Sequence, residues 1–216
     1  VFSDINHESE YTKVWLDTIN HYWINEYKFD GYRFDLSKGF TQKSSGDDVG
    51  LWSQKDNSRI ALLKRMADKI WEHSPDAYVI LEHFAANDEE IILSDYGMML
   101  WGNENHDYNE ASMGYASGKS LSGAHYKDRG WNENNLIAYM ESHDEERLMF
   151  KNQEFGNSFG TYNIKNLQMA LRRQKLVGAF FYTVPGPKML WQWGEYGYDI
   201  QLYRYEEGVD REEGKL

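Results

Sequence analysis

Two short segments each carry an apolar run into a carboxylate. FDGYRFDL, Phe29 to Leu36, delivers Asp35, and VILEHF, Val79 to Phe84, delivers Glu82. A third, LIAYMESHDEER, Leu136 to Arg147, delivers His143 and Asp144. Strand alternation puts Arg33 on the same side as Asp35, and a guanidinium beside a carboxylate favours its ionised form, which suits a nucleophile. Glu82 closes a buried-looking run, so desolvation favours its neutral form, which suits a general acid. Several carboxylates facing one substrate is the equipment of glycosidic bond cleavage. Spacing alone leaves plainer readings open. Asp35 can be half of a structural ion pair, Glu82 a loop-start or capping residue, and Asp144-Glu145-Glu146-Arg147 a solvated helix start. His83 points away from Glu82 in a pleat and reads as structural. Adjacent His143 and Asp144 make a weak metal pair, so no metal site is assigned.

These acids need elements to hold them. Glu10 to Tyr27 reads as a helix with Tyr11, Trp15, Ile19 and Tyr22 on one face. Phe29 to Leu36 follows as a strand, and the glycine-bearing stretch Gly39 to Gln54 as a loop. Arg59 to His73 reads as a helix with the stripe Ile60, Leu63, Ala67 and Ile70, capped by Asn57 or Ser58. Tyr78 to Glu82 is a strand; Asn87 caps a short helix with Asp88, Glu89 and Glu90 in its first turn. Tyr96 to Trp101 is a strand candidate, and Asn109 to Ala116 a short helix. Leu136 to Glu141 is a strand, Lys151 to Tyr162 a loop, and Asn163 to about Val177 a helix. Gly178 to Val184 reads as the last strand, ended by Pro185-Gly186-Pro187, and the tail from Glu206 as solvated. Strands alternating with helices give an α/β fold with a parallel sheet, and carboxylates at strand ends favour a barrel. A five-stranded doubly wound sheet is the alternative, without a G-x-G-x-x-G or P-loop to support nucleotide binding.

Composition removes several function classes. The net charge of −12 opposes a nucleic-acid backbone or anionic membrane as partner. There is no cysteine, hence no disulfide or thiolate metal site, and no apolar run approaches a membrane span. Aromatic side chains are abundant, 8 Trp, 16 Tyr and 10 Phe. They suit stacking on sugar faces and, for most of them, ordinary core packing.

In order and together, GYRFDLSKG, VILEHF and ESHDEER resemble the segments of the α-amylase family of glycoside hydrolases that carry the nucleophile, the acid/base and the third acid. Phe2-Ser3-Asp4-Ile5-Asn6 resembles the short Asp-containing segment before the nucleophile strand. The resemblance implies that Asp35 is the nucleophile, Glu82 the acid/base and Asp144 the transition-state stabiliser. It implies that Arg33 orients Asp35 and that His143 hydrogen-bonds the sugar. Lys38, Trp191, Trp193 and Tyr196 are candidate substrate contacts, with core packing an equal reading for the three aromatics. The family's earlier Asp-x-x-x-Asn-His segment is absent; Asp4 to His7 does not supply it. The expectation is a partial (β/α)8 TIM barrel, strands four to eight, over residues 1–216 as one C-terminal catalytic piece with no second domain. Calcium, a cofactor of many members, is left to the full-length parent.

The function implied is retaining hydrolysis of α-1,4-linked glucans such as starch, glycogen and maltooligosaccharides, with the isolated chain an incomplete, inactive fragment. A transglycosylase or branching enzyme on the same scaffold is the same-class rival; a non-catalytic carbohydrate-binding relative is the other. Expected partners are an α-glucan and, through open barrel edges, a second copy of the chain. Analogy favours a secreted, periplasmic or cell-surface location, with a cytoplasmic one, that of glycogen enzymes, left open.

Overall fold

The computed structural model describes residues 5–115 and 120–202. Phe2 to Asp4 and the tail from Glu206 lie outside the described residues. Among those described, no helix is long and apolar enough to cross a membrane. The chain divides into two compact units, Val1–Trp101 with Arg129–Leu136, and Gly102–Asp128 with Ile137–Leu216.

The first unit opens with α1 (Glu10–Tyr27), closed by Lys28 in the left-handed region, whose N–H donates to Ile24 O at 3.0 Å. The expected stripe is not its inner face. Tyr11, Trp15 and Tyr22 are exposed, while Asn20 and Ile24 are buried. The aromatic residues of this helix lie on its exposed side, so periodicity marked a face that is not the buried one. β1 (Gly31–Phe34) follows, then α2 (Val49–Trp52), a single turn within the expected loop. α3 (Asn57–His73) buries Ile60, Leu63, Met66, Ala67 and Ile70, the anticipated stripe. Its cap is Asp56, one residue before the expected pair, accepting from Ser58 N at 2.9 Å. β2 (Tyr78–Leu81), α4 (Asn87–Asp95) and β3 (Met99–Asn103) complete the series. Asn87 begins α4 rather than capping it; Ala86 holds the cap position without a side-chain bond.

β1 pairs with β2 in parallel register, Gly31↔Tyr78 through Phe34↔Leu81, and β2 pairs with β3, Ile80↔Met99 and Leu81↔Leu100. At the first pair a β-carbon on Gly31 would meet Tyr78 O at 2.2 Å, so the close strand approach requires glycine there. Val79, Leu81, Leu93, Met98 and Leu100 are buried around this sheet.

The second unit holds α5 (Asn105–Met113), β4 (Leu136–Tyr139), α6 (Leu148–Phe155), the two-residue strands β5 (Ser158–Phe159) and β6 (Tyr162–Asn163), α7 (Leu167–Phe181) and β7 (Lys188–Met189). β4, which begins at the end of the first unit, pairs with β7 in parallel, Ala138↔Lys188 and Tyr139↔Met189. The core gathers Tyr108, Ala124, Ala138, Leu148, Val177 and Phe181.

Two sequence expectations fail here. Lys151 to Tyr162 is not a continuous loop, since its first part belongs to α6 and the rest to the β5–β6 hairpin. Gly178 to Val184 is not a strand. Its first half ends α7, where Val177 and Phe181, at helical spacing, enter the core. The last strand instead follows Pro187. The first unit orders its strands β1-β2-β3, and in the second β4 lies beside β7. The fold is α/β with parallel strands, that of a partial (β/α) barrel.

Candidate active site

The register of β1 on β2 determines what meets at their exits. Phe34 stands opposite Leu81, so Asp35 and Glu82 leave the sheet side by side. Glu82 N donates to Phe34 O at 3.0 Å, and Ser37 N donates back to Glu82 O at 2.8 Å. A carboxylate oxygen of Asp35 lies within 4.8 Å of one from Glu82.

Arg33 joins the two acids. One guanidinium nitrogen donates to Asp35 and the other to Glu82, both in short hydrogen bonds. The guanidinium carbon stacks 4.1 Å from the centre of the Trp101 ring, which holds the cation in place from its other face.

The acids differ sharply in solvation. The Asp35 side chain is 73% exposed, that of Glu82 8%. Burial pushes the Glu82 carboxyl above its ordinary value. The Leu36 N–H, donating to Oε2 at 3.0 Å, and the Arg33 charge hold it down, while neighbouring Asp35 pushes it further up. The two acids therefore sit in different surroundings, Asp35 in solvent and Glu82 where burial favours its neutral form.

Lys38 lies just beyond. It is largely buried, its ammonium 4.8 Å from the centre of the Trp52 ring and 3.4 Å from Ser53 Oγ. Burial, and then the Arg59 charge, lower its pKa.

In the second unit, β4 leads to His143 and Asp144, both partly exposed, with His143 Nε2 3.3 Å from Asp144 Oδ2. Ser142 accepts from Asp144 N at 3.1 Å. The His143 ring lies 6.1 Å from Trp191, centre to centre. Arg147 sits over Trp191 and Tyr198, at 5.9 and 4.8 Å, and donates to Gln192 O at 3.1 Å. Trp193 takes a left-handed backbone, φ 69°, and is about half exposed, 6.3 Å from Tyr196. The candidate residues thus fall into two sets: Arg33, Asp35, Lys38 and Glu82 in the first unit, and His143, Asp144, Trp191 and Trp193 in the second.

Sequence reasoning missed three contributors in the first unit: the Leu36 amide, Trp101, and the buried charges behind Glu82. Trp101 closes the apolar run YGMMLW and was readable only as core. The others carry no local signal.

The fold class is a parallel α/β sheet of the partial (β/α) barrel type. No protein-family model matches the sequence, and no curated protein matches it. Solved structures do. Eubacterium rectale Amy13B matches with a TM-score of 0.63 and 16% identity, over 97% of this chain and 37% of its own. The type III pullulan hydrolase from Thermococcus kodakarensis matches at 0.59 and 18% identity, over 88% of this chain and 30% of its own. A pullulanase complexed with maltotetraose from Anoxybacillus sp. LM18-11 matches at 0.63 and 15% identity, over 91% and 29%. At such identities the likeness is one of fold. The chain spans about a third of the length of these structures.

Proposed function

We propose that the protein is a retaining glycoside hydrolase acting on α-linked glucans. The observation that carries this reading is the Asp35–Glu82 pair: two carboxylates within 4.8 Å, bridged by Arg33, one exposed and one buried. Retaining enzymes hold their two carboxyl groups roughly 5–5.5 Å apart, inverting ones roughly 6.5–9.5 Å, and an approach of carboxylate oxygens within 4.8 Å supports the shorter class. Starch and pullulan chemistry enters through the resemblance of the three acid-bearing segments. It also enters through the structural neighbours, among them a pullulan hydrolase and a pullulanase bound to maltotetraose.

In this reading Asp35 attacks the anomeric carbon while Glu82 gives its proton to the departing glycosidic oxygen. The glycosidic bond breaks and an ester to Asp35 forms. Glu82, now ionised, takes a proton from water as that water displaces Asp35 and frees the sugar. Arg33 steadies both carboxylates as their charges exchange. Asp144 serves as the third acid and His143 as a donor to sugar hydroxyls, roles taken from the segment resemblance.

The test is to trap the intermediate. The full-length protein is incubated with a fluorinated glucosyl fluoride and its digest examined by mass spectrometry. The expected result is one sugar ester on Asp35. An ester elsewhere, or hydrolysis that proceeds unchanged in Asp35→Asn, overturns the assignment.

A further inference from the structure

Behind the carboxylate pair runs a buried polar chain. Glu89 Oε1 lies 2.9 Å from His83 Nε2, and His83 Nδ1 lies 2.8 Å from Ser37 Oγ. The order is that of a hydrolytic Ser-His-acid triad. Here it cannot meet a substrate, because Ser37, His83 and Glu89 are each 0% exposed. Its effect has to be exerted on the chain that carries it.

The protonation pattern follows from its neighbours. Two guanidinium nitrogens of Arg59 donate to Glu89, at 2.7 and 2.8 Å, and keep it ionised. Burial keeps His83 neutral. Its one proton then sits on Nε2, facing Glu89, which leaves Nδ1 as an acceptor. Ser37 therefore donates toward Nδ1, with Glu82 O also within 3.1 Å of its hydroxyl.

What the chain connects is specific. Ser37 lies two residues after Asp35, and His83 one residue after Glu82. The same turn places the Leu36 N–H on the Glu82 carboxyl and the Ser37 N–H on the Glu82 carbonyl. It does so through backbone that bulky residues avoid. Leu36 has φ 41° and ψ 48°, and Phe84, following His83, has φ 52°. Two non-glycine residues in the left-handed region, one beside each acid, persist only if their surroundings hold them there.

We propose that Ser37 and His83 are positioning residues, which pin the exits of β1 and β2 together and so set the spacing of Asp35 and Glu82. The proposal rests on the reading of those two acids as the catalytic pair. Arg59 and Glu89 anchor the chain's far end. Displacing such a pair by an ångström is enough to cost about 10²-fold in rate.

Ser37→Ala, His83→Leu and His83→Gln are made in the full-length protein, with Leu63→Ala as a control that weakens the core of α3 away from the turn. Turnover is measured on maltooligosaccharides at a temperature where each variant is folded. Ser37→Ala and His83→Leu should lower kcat by tenfold to about 10²-fold with KM within about twofold. His83→Gln, whose amide can donate to Glu89 and accept from Ser37, should recover at least about tenfold over His83→Leu. Leu63→Ala should lose thermal stability without that fall in kcat. Wild-type kcat in Ser37→Ala, or an equal fall in Leu63→Ala, overturns the proposal. Hydrogen exchange at the Leu36 and Ser37 amides supplies a readout that needs no activity: Ser37→Ala should speed it, and unchanged protection overturns the clamp. Should Glu82→Gln retain turnover, the catalytic reading fails instead, and amide exchange still judges the clamp.

Discussion

Replacing Arg59 by methionine strikes the anchor of this network and its cost can be worked out. The side chain is 1% exposed and makes five hydrogen bonds. Two go to Glu89, and three to the carbonyls of Lys38, Trp52 and Gln54, at 2.9, 3.1 and 2.9 Å. Methionine fills much of the volume and restores none of the bonds. Glu89 is left as a buried carboxylate without its main counter-charge, which costs about 3–5 kcal/mol. The Lys38 carbonyl loses a buried donor, which adds about 1–3 kcal/mol. The Trp52 and Gln54 carbonyls border a cavity of about 300 Å³, where water can replace the lost donors. The expected loss is about 4–8 kcal/mol, a large part of a typical folding free energy of roughly 5–15 kcal/mol. Urea unfolding at neutral pH measures it directly. The loss also has a pH signature. Burial alone would raise the Glu89 pKa, but hydrogen bonds from Arg59, then His83 and the Asp56 N–H, bring it down to about 2, from an ordinary 4.5. A lowered carboxyl stabilises the fold above its unfolded value and loses that contribution as pH falls through the folded value. The gap between wild type and variant should therefore narrow as pH falls from 4.5 toward about 2. Adding Glu89→Gln should recover part of the loss by removing the stranded charge. A loss below about 1 kcal/mol, or a gap indifferent to pH, would refute the reasoning.

Other outcomes follow from the same geometry. Asp35→Asn and Glu82→Gln should each abolish glucan hydrolysis in the full-length protein; near-normal turnover on soluble starch by either sinks the proposed function. Glu82 has a raised folded-state pKa, so its contribution to stability is present at low pH and lost as pH rises through that value. Glu82→Gln should therefore be at least as stable as wild type at neutral pH in urea unfolding, and a marked loss would contradict this. Asp35→Asn removes a charge that pushes Glu82 up, so carbon-13 titration of the Glu82 carboxyl should give a lower midpoint, an unchanged one being the contrary result. At Gly156 a β-carbon would meet Asn152 O at 2.2 Å and Ile164 Cγ2 at 2.7 Å, so Gly156→Ala should cost about 1–3 kcal/mol through overpacking, visible as a lowered thermal midpoint.

The helices were readable where one face alone was apolar. α3 has its stripe at Ile60, Leu63, Ala67 and Ile70, with a polar opposite side and a proline two residues beyond its end, and the structure follows that pattern. α1 and α7 show the two ways in which the pattern misleads. In α1 the aromatic residues occupy the outer face, so apolar periodicity selects the wrong one. In α7, GAFFYTV is an unbroken apolar run with β-branched residues at its end, and such a run reads equally as a buried strand. Only packing decides: Val177 and Phe181 enter the core beside Tyr108, while Ala179, which strand alternation would bury with them, is exposed.

The site was legible for a different reason. Asp35 and Glu82 end apolar runs, and parallel register turns that one-dimensional fact into proximity. The groups behind them send no such signal, because their residue types have a cheaper explanation at every position. Glu89 stands in the first turn of α4, where any acid is favoured by the helix dipole, and Arg59 stands in the first turn of α3, where it reads as solvated. Both are wholly buried and bonded to each other. Burying that pair carries a desolvation cost that its mutual attraction need not repay. A chain selected for stability alone would do as well with two apolar residues there. What the ionic pair supplies beyond an apolar one is direction: a fixed tautomer on His83, a donor aimed from Ser37, and carbonyl contacts on both sides of the turn after β1. The strained Leu36 and Phe84 lie within reach of that same chain and beside the two acids it orients. Placing a costly polar cluster where backbone strain must be held, and next to a close carboxylate pair joined by an arginine, is what accurate alignment of two acids requires.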